Sequence, residues 1–125
     1  MQSESSTVKS PPPEMARAVE VARAYLDEHF AERVLLEDLG KVAAVSPFHL
    51  SRLFKAVVGV APHRYLMRVR MARAVELLCG TDLTVSQIAQ RVGFSSMSHF
   101  TLTFRSEVGL TPTAFRRAHR NGSHS

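Results

Sequence analysis

The sequence predicts an all-α fold of about seven helices, in which two similar helical subdomains are joined by one long helix. Three observations support this prediction. Apolar residues recur at steps of three and four, and no stretch alternates between apolar and polar residues as a half-buried strand would. Proline and glycine stand where helices would start and stop. The second half of the chain also repeats the first.

The first helix follows a polar tail. Residues 1–13 are rich in Ser, Lys and Pro, so we expect a disordered tail or the stub of an interdomain linker. An apolar stripe with helical spacing then begins, formed by Met15, Ala18, Val19, Ala22, Tyr25, Leu26, His29 and Phe30. The first subdomain is predicted to cover residues 14–61.

Two shorter helices precede the long one. The second helix is predicted at residues 36–44. Ser46 is a typical N-cap residue and Pro47 suits the first helical position, so a third helix begins there and ends at Gly59. The long linker helix covers residues 62–80, and Ala72 and Cys79 belong to its apolar stripe. Cys79 is therefore expected to be buried.

The second subdomain is predicted at residues 81–118. It contains a helix over about 84–92, a helix over 97–108 that Ser96 caps, and a short helix after Pro112. Gly93 marks the turn between the first two of these helices. Residues 119–125 are expected to form a frayed tail.

The internal repeat defines the structural unit. At an offset of 49 residues, Leu39 and Gly40 align with Ile88 and Ala89, and one inserted residue then raises the offset to 50. The aligned pairs that follow are Ser46 and Ser96, Leu50 and Phe100, Phe54 and Phe104, Lys55 and Arg105, Gly59 and Gly109, and Pro62 and Pro112. A short helix, a tight turn and a capped helix in this order are typical of a helix-turn-helix motif.

The two helices of such a motif touch closely, and Gly40 and Ala89 supply the small residue needed there. A left-handed backbone in the turn costs a residue with a β-carbon about 1 kcal/mol. Gly93 suits that conformation and Ala44 does not. The first turn is therefore expected either to be strained or to adopt another conformation.

Helical periodicity divides each capped helix into two faces. The residues expected to be buried are Leu50, Leu53, Phe54 and Val57 in the first helix, and Phe100, Phe104 and Val108 in the second. The opposite faces are free to contact a partner.

The free faces suit the major groove of DNA, which admits one helix and presents a distinct hydrogen-bonding pattern for each base pair. The candidate base-reading residues are Phe48, His49, Ser51 and Arg52 in the first helix, and Met97, Ser98, Thr101 and Leu102 in the second. Arg52 can bind guanine through two hydrogen bonds, the alternative being a pair with phosphate or a carboxylate. Leu102 occupies the equivalent position, so the second helix is expected to read its site more loosely unless Leu102 packs under a loop.

The charge of the chain suits a polyanionic partner. It has 16 Lys and Arg against 11 Asp and Glu, a net charge of +5, although charge alone fits an ordinary basic surface equally well. The candidate phosphate contacts are Ser46, Lys55, Arg64, Arg68, Ser96 and Arg105.

Other classes of protein are disfavoured. One cysteine excludes an internal disulfide framework and suits a reducing cytoplasm. The six histidines are scattered and have neither a zinc-binding nor a catalytic spacing. We therefore expect no enzyme activity, no metal and no cofactor. The sequence has no long apolar run and no signal peptide pattern, so we expect no membrane partner.

Residues 46–55, which run from Ser46-Pro47-Phe48 to Phe54-Lys55, resemble the first recognition helix of the AraC/XylS transcriptional regulators. Ile88-Ala89, Val92-Gly93-Phe94-Ser95 and Gly109-Leu110-Thr111-Pro112 resemble the signature segment of that family. The resemblance covers about residues 14–118. It implies a monomeric domain whose two readers enter successive major grooves of double-stranded DNA, about 34 to 36 Å apart, and activation through contact with RNA polymerase.

Two features depart from the family pattern. Many members have Gln near Met97 and Arg at Leu102, and they have Ala in place of Gly40, which is expected to loosen the second helix by up to about 1 kcal/mol. A nonspecific DNA-binding module or a helical protein-interaction module is the alternative function.

Overall fold

Seven helices and no strand occur in the part of the chain that the computed structural model describes, residues 12–123. In order they are α1 Pro13–Glu28, α2 Leu36–Ala43, α3 Pro47–Val58, α4 Pro62–Gly80, α5 Val85–Arg91, α6 Met97–Val108 and α7 Pro112–Ser123. The predicted all-α fold is confirmed. Most of the expected N-terminal tail and the last two residues of the chain lie outside the described residues.

Backbone contacts divide the chain into two compact units. Unit 1 contains the described residues up to Tyr25 together with Leu35–Pro62, and unit 2 contains Leu26–Val34 together with the described residues from His63 onward. The sequence predicts α4 as a linker between the subdomains, but all of this helix after Pro62 belongs to unit 2.

In unit 1, α2 packs against α3 to form the first helix-turn-helix. The Ser46 hydroxyl caps α3 by accepting a hydrogen bond from the His49 N–H at 3.2 Å, as the sequence predicts. Leu50 and Phe54 point into the core and are fully buried. The opposite face of α3 is therefore left at the surface.

The turn between α2 and α3 is strained at one residue and crowded at another. Ala44 adopts φ 62° and ψ 38°, which is the left-handed conformation. Of the two expected alternatives, a strained turn is therefore the one that occurs. A β-carbon on Gly40 would lie 2.8 Å from the Val45 carbonyl oxygen. The equivalent segment of unit 2 contains the one residue inserted in the repeat, and it accommodates Ala89. The close approach of the turn backbone explains why position 40 is a glycine. An alanine there would be crowded, and this steric cost opposes the gain in helix propensity that alanine would bring to α2.

In unit 2, α6 packs against both α5 and α7. Thr84 and Gln87 form a capping box at the start of α5, with N–H to oxygen distances of 2.8 and 3.0 Å. The Ser96 hydroxyl caps α6 by accepting from the His99 N–H at 3.2 Å. Gly93 has φ 101°, which confirms the predicted left-handed turn.

A row of aromatic rings forms the core of unit 2. The ring centroids of Phe94 and Phe100 are 5.4 Å apart, those of Phe100 and Phe104 5.9 Å, and those of Phe104 and Phe115 5.7 Å. All four residues are buried. Because offset and edge-on ring pairs are favourable beyond their buried area, this row fixes α6 along its inner face.

Three residues expected to be buried are exposed. Val57 is 45% exposed because it lies in the last turn of α3, beside the exposed Gly59 that ends the helix. Ala72 and Cys79 are exposed on α4. Each follows a buried residue, Met71 or Leu78, and adjacent positions are separated by about 100° around a helix, which turns both side chains out of the stripe.

Helix α7 continues to Ser123, past residue 118, where the sequence predicts the end of the second subdomain. The Arg120 guanidinium donates to the Thr81 carbonyl oxygen at 2.9 Å and to Asp82 Oδ1 at 2.9 Å. These bonds hold α7 against the segment that follows α4. Residues 119–123, which the sequence predicts as part of a frayed tail, are thus helical in this structure.

Candidate nucleic-acid interface

The outer face of α3 carries a paired aromatic ring and guanidinium. Phe48 is 73% exposed, and the Arg52 guanidinium carbon lies 5.9 Å from the centroid of its ring. Arg52 forms no ion pair with any carboxylate in the part of the chain that the structure describes. His49 is exposed and Ser51 half-buried beside them. All four predicted base-reading residues of α3 therefore share one accessible surface, and Arg52 is available to a ligand.

The outer face of α6 is less polar. Leu102 is 68% exposed and Met97 is 42% exposed, with exposed Ser98 and half-buried Thr101 between them. The exposure of Leu102 excludes the alternative that it packs under a loop of the free chain. The equivalent surfaces of the two units thus differ in chemistry, since a leucine in one replaces an arginine in the other.

The candidate phosphate contacts divide into three groups. Ser46 and Ser96 stand at the N-termini of α3 and α6, where unpaired N–H groups and the helix dipole favour an anion. Lys55, Arg68 and Arg105 have exposed side chains. Arg64 is different, because it forms an ion pair with Glu107 at 3.2 Å and would have to exchange this carboxylate for a phosphate.

Sequence reasoning misses Arg70, the one buried charged residue among the residues whose burial is described. Its Nε donates to the Phe30 carbonyl oxygen at 2.7 Å, and its terminal nitrogen donates to the Glu32 carbonyl oxygen at 2.9 Å. The guanidinium also lies 5.4 Å from the centroid of the Phe94 ring. Burial lowers the pKa of Arg70, whose ordinary value is high enough that the group stays charged at neutral pH.

A signal for Arg70 exists in the repeat. An offset of 50 aligns Arg70 with Arg120, and each arginine donates to a backbone carbonyl of the segment before the first helix of a helix-turn-helix. The bonded carbonyls belong to Glu32 and Thr81, which are themselves aligned at the earlier offset of 49. The internal repeat thus extends past residue 118 to include Arg70 and Arg120.

The described residues form neither a metal-binding cluster nor a membrane-spanning helix. Residues 12–123 contain no group of three or more His, Cys, Asp or Glu side chains arranged to hold a metal ion. No helix among the seven combines the length and apolarity needed to cross a membrane.

The chain is similar to known regulators along most of its length. Residues 39–118 match a family model described as a helix-turn-helix domain. The chain is 36% identical over 118 residues to the regulatory protein PocR of Salmonella typhimurium, covering 94% of this chain and 39% of that protein. It is 40% identical over 94 residues to the HTH-type transcriptional activator RhaS of an Enterobacter species, covering 75% and 34%. The chain therefore spans between a third and two fifths of the length of these relatives.

Two solved structures agree with the fold. The DNA-binding domain of AdpA, a global transcriptional factor solved with a target DNA, has a TM-score of 0.77 and 32% identity, covering 88% of this chain and 96% of that one. A transcriptional regulator from Chromobacterium violaceum, described as containing an AraC-type DNA-binding domain, has a TM-score of 0.69 and 33% identity, covering 86% and 92%. With paired helix-turn-helix units and these matches over most of its residues, the chain belongs to the AraC-type helix-turn-helix family.

Proposed function

We propose that this chain is the sequence-specific DNA-binding module of a transcription regulator, and that α3 and α6 are its two recognition helices. The observation that carries the proposal is the outer face of α3, where Arg52, which forms no ion pair with a carboxylate of the described residues, lies beside the exposed Phe48 ring. A helix of this kind fits the major groove, and its outward residues meet base edges.

In the first reader, Arg52 is the main determinant of sequence. Its two guanidinium donors match O6 and N7 of guanine, a contact worth about 1–3 kcal/mol of discrimination. The Phe48 ring restricts where the guanidinium can lie, which lowers the entropy lost when the base contact forms. Ser51 and His49 can donate to or accept from several bases, so they add less discrimination.

In the second reader, apolar contact replaces bidentate hydrogen bonding. The exposed Leu102 and Met97 can contact a thymine methyl group, and Ser98 and Thr101 can bond to more than one base. We expect the half-site read by α6 to tolerate more base changes than the half-site read by α3.

Contacts to phosphate supply affinity without sequence information. Ser46 and Ser96 would receive phosphates at the helix N-termini, and Lys55, Arg64, Arg68 and Arg105 would neutralise phosphate charge along the backbone. Because Arg64 must first leave Glu107, its net contribution should be smaller than that of the exposed basic side chains.

The remaining parts of the proposal come from the relatives. The name of RhaS supports activation of transcription as the outcome of binding. We propose that activation proceeds through contact with RNA polymerase in the cytoplasm. The DNA complex of AdpA supports double-stranded DNA as the partner. We propose that this domain binds as a monomer, with its two half-sites in successive major grooves, about 10 base pairs apart.

The test is selection of binding sites from random duplexes at roughly physiological salt, followed by footprinting of the best site. Two protected patches one helical turn apart, one of them with a guanine that Arg52→Ala no longer selects, are expected. Arg17→Ala, which removes an exposed arginine from α1, is the matched control and should leave the motif intact. Uniform protection without an enriched motif would instead indicate nonspecific DNA binding, and no protection would favour a protein-interaction module.

A further inference from the structure

Arg70 connects two segments of unit 2 that are far apart in the sequence. On one side, its two hydrogen bonds reach carbonyl oxygens of Phe30 and Glu32, in the segment that follows α1. On the other side it meets the turn between α5 and α6, because a β-carbon placed on Gly93 would lie 3.0 Å from the Arg70 guanidinium carbon. The Phe94 ring, the next residue of that turn, lies under the same guanidinium.

These contacts require an arginine. The side chain is only 8% exposed, and its hydrogen bonds go to carbonyl oxygens rather than to a carboxylate. A planar guanidinium can donate in two directions and still lie flat against a ring, whereas a lysine ammonium presents one compact charge that cannot do both. The aligned Arg120 differs, because its partners include the Asp82 carboxylate as well as the Thr81 carbonyl.

The contact with Phe94 continues into the recognition helix. The Phe94 ring packs edge-on against His99 at 5.0 Å and against Phe100 at 5.4 Å, and both residues lie in the first turns of α6. Ser98, a candidate base-reading residue, directly precedes His99. The Phe94 ring therefore lies in direct contact with both the Arg70 guanidinium and the first turns of α6.

We propose that Arg70 is the positioning residue of the second recognition helix, because it fixes the turn before α6 against the segment after α1. This inference rests on the proposed function, since it assigns to Arg70 control of one of two DNA half-sites without any contact to DNA. A buried arginine that only stabilised the fold would affect both half-sites equally.

The first experiment compares the binding of the full chain to two duplexes. One carries the complete selected site, and the other has the half-site read by α6 scrambled. Arg70→Lys keeps the charge and is expected to weaken binding to the complete site by about tenfold while changing binding to the scrambled duplex by less than about twofold. Arg73→Lys is the matched control on the same helix. Arg73 contacts the Phe30 ring at 5.4 Å and Glu76 at 3.3 Å. Its substitution should change neither affinity.

A second measurement does not depend on DNA. In hydrogen exchange of the free chain, Arg70→Lys is expected to speed exchange of amides in the first turns of α6 by about tenfold and to leave those of α3 unchanged. Equal loss of affinity for both duplexes, or unchanged exchange in α6, would overturn the inference. If the unmodified chain bound neither duplex, the proposed function would fail, and hydrogen exchange would still decide whether Arg70 positions α6.

Discussion

Ala44 is the one residue other than glycine with a positive φ among the described residues, with φ 62°. A left-handed backbone costs an L-residue about 1–2 kcal/mol, and a glycine there would lose about 0.4–1 kcal/mol through the greater freedom of the unfolded chain. We therefore expect Ala44→Gly to stabilise the chain by about 0.5–1 kcal/mol, measured by urea denaturation.

The neighbouring residue provides the control for this prediction. Ala43 is the last residue of α2, and Ala43→Gly should destabilise the chain by up to about 1 kcal/mol, because glycine is a poor helix former. A loss of stability in Ala44→Gly would mean that the methyl group of Ala44 makes contacts worth more than the backbone strain.

Gly40 gives the opposite case. Helix propensity alone favours alanine in the interior of α2 by about 1 kcal/mol. The β-carbon would, however, lie 2.8 Å from the Val45 carbonyl oxygen, and the backbone on both sides of the turn would have to move. Because such overpacking costs about 1–3 kcal/mol, we expect Gly40→Ala to lower the free energy of unfolding by about 1–2 kcal/mol.

Gly80 tests whether the effect at Gly40 is steric. A β-carbon on Gly80, at the end of α4, would meet no atom within 4 Å, so Gly80→Ala should be neutral or slightly stabilising in the same denaturation experiment. If Gly40→Ala stabilised the chain as much as Gly80→Ala does, the close approach of the two helices would not be the reason for the glycine.

At the scale of the helix, Ser46 combines two roles that a substitution can separate. Its hydroxyl caps α3, and its position is a candidate phosphate contact. Aspartate caps a helix as well as serine does and interacts favourably with the helix dipole, but its charge repels phosphate. Ser46→Asp should therefore leave stability unchanged within about 1 kcal/mol and weaken DNA binding by about tenfold, measured by titration of a labelled duplex.

Thr84 provides the matched control, because it caps α5, whose residues are not among the candidate DNA contacts. Thr84→Asp adds the same charge at a helix start and should change DNA affinity by less than about threefold, through long-range repulsion alone. Equal weakening by the two substitutions would show that net charge matters and that no phosphate lies near Ser46.

The sequence predicts the helices well, because their ends have local chemical signals. Ser46, Ser96 and Gly93 each act as their residue types suggest. The widths of buried faces are less predictable. Periodicity identifies the inner side of a helix, but it does not show how far along the helix that side stays covered, and Val57 in the last turn of α3 is exposed. Arg70 has no local signal at all, since its carbonyl partners lie 40 and 38 residues away in the chain.

The exposure of the candidate site residues was predictable for a related reason. A capped helix has a fixed direction, so its outward residues follow once its buried residues are known, and Phe48, Arg52 and Leu102 are all exposed as predicted. The partner of Arg64 could not be predicted in this way, because the ion pair with Glu107 depends on how α4 and α6 meet in unit 2. Long-range packing is the part of the structure that spacing and composition do not encode directly.

For the whole molecule, the main consequence of the repeat is that two similar units carry different side chains on their candidate base-reading faces. Arg52 in α3 and Leu102 in α6 occupy aligned positions, and both are exposed. If the units divide recognition unequally for this reason, Leu102→Arg should add a guanine preference at one position of the second half-site. The added discrimination should be smaller than about 1–3 kcal/mol, because the residue aligned with Phe48 is Ser98, which offers no ring to hold the new guanidinium.

Site selection on the variant measures this preference directly, and the reciprocal Arg52→Leu serves as its control. Arg52→Leu should remove the guanine from the first half-site and leave the second half-site as it was. A new guanine in the first half-site after Leu102→Arg would mean that α3 and α6 are not assigned to separate half-sites. An unchanged motif would mean that Leu102 does not face base edges, and the reading surface of α6 would then have to lie around Met97 and Ser98, closer to the N-terminus of the helix.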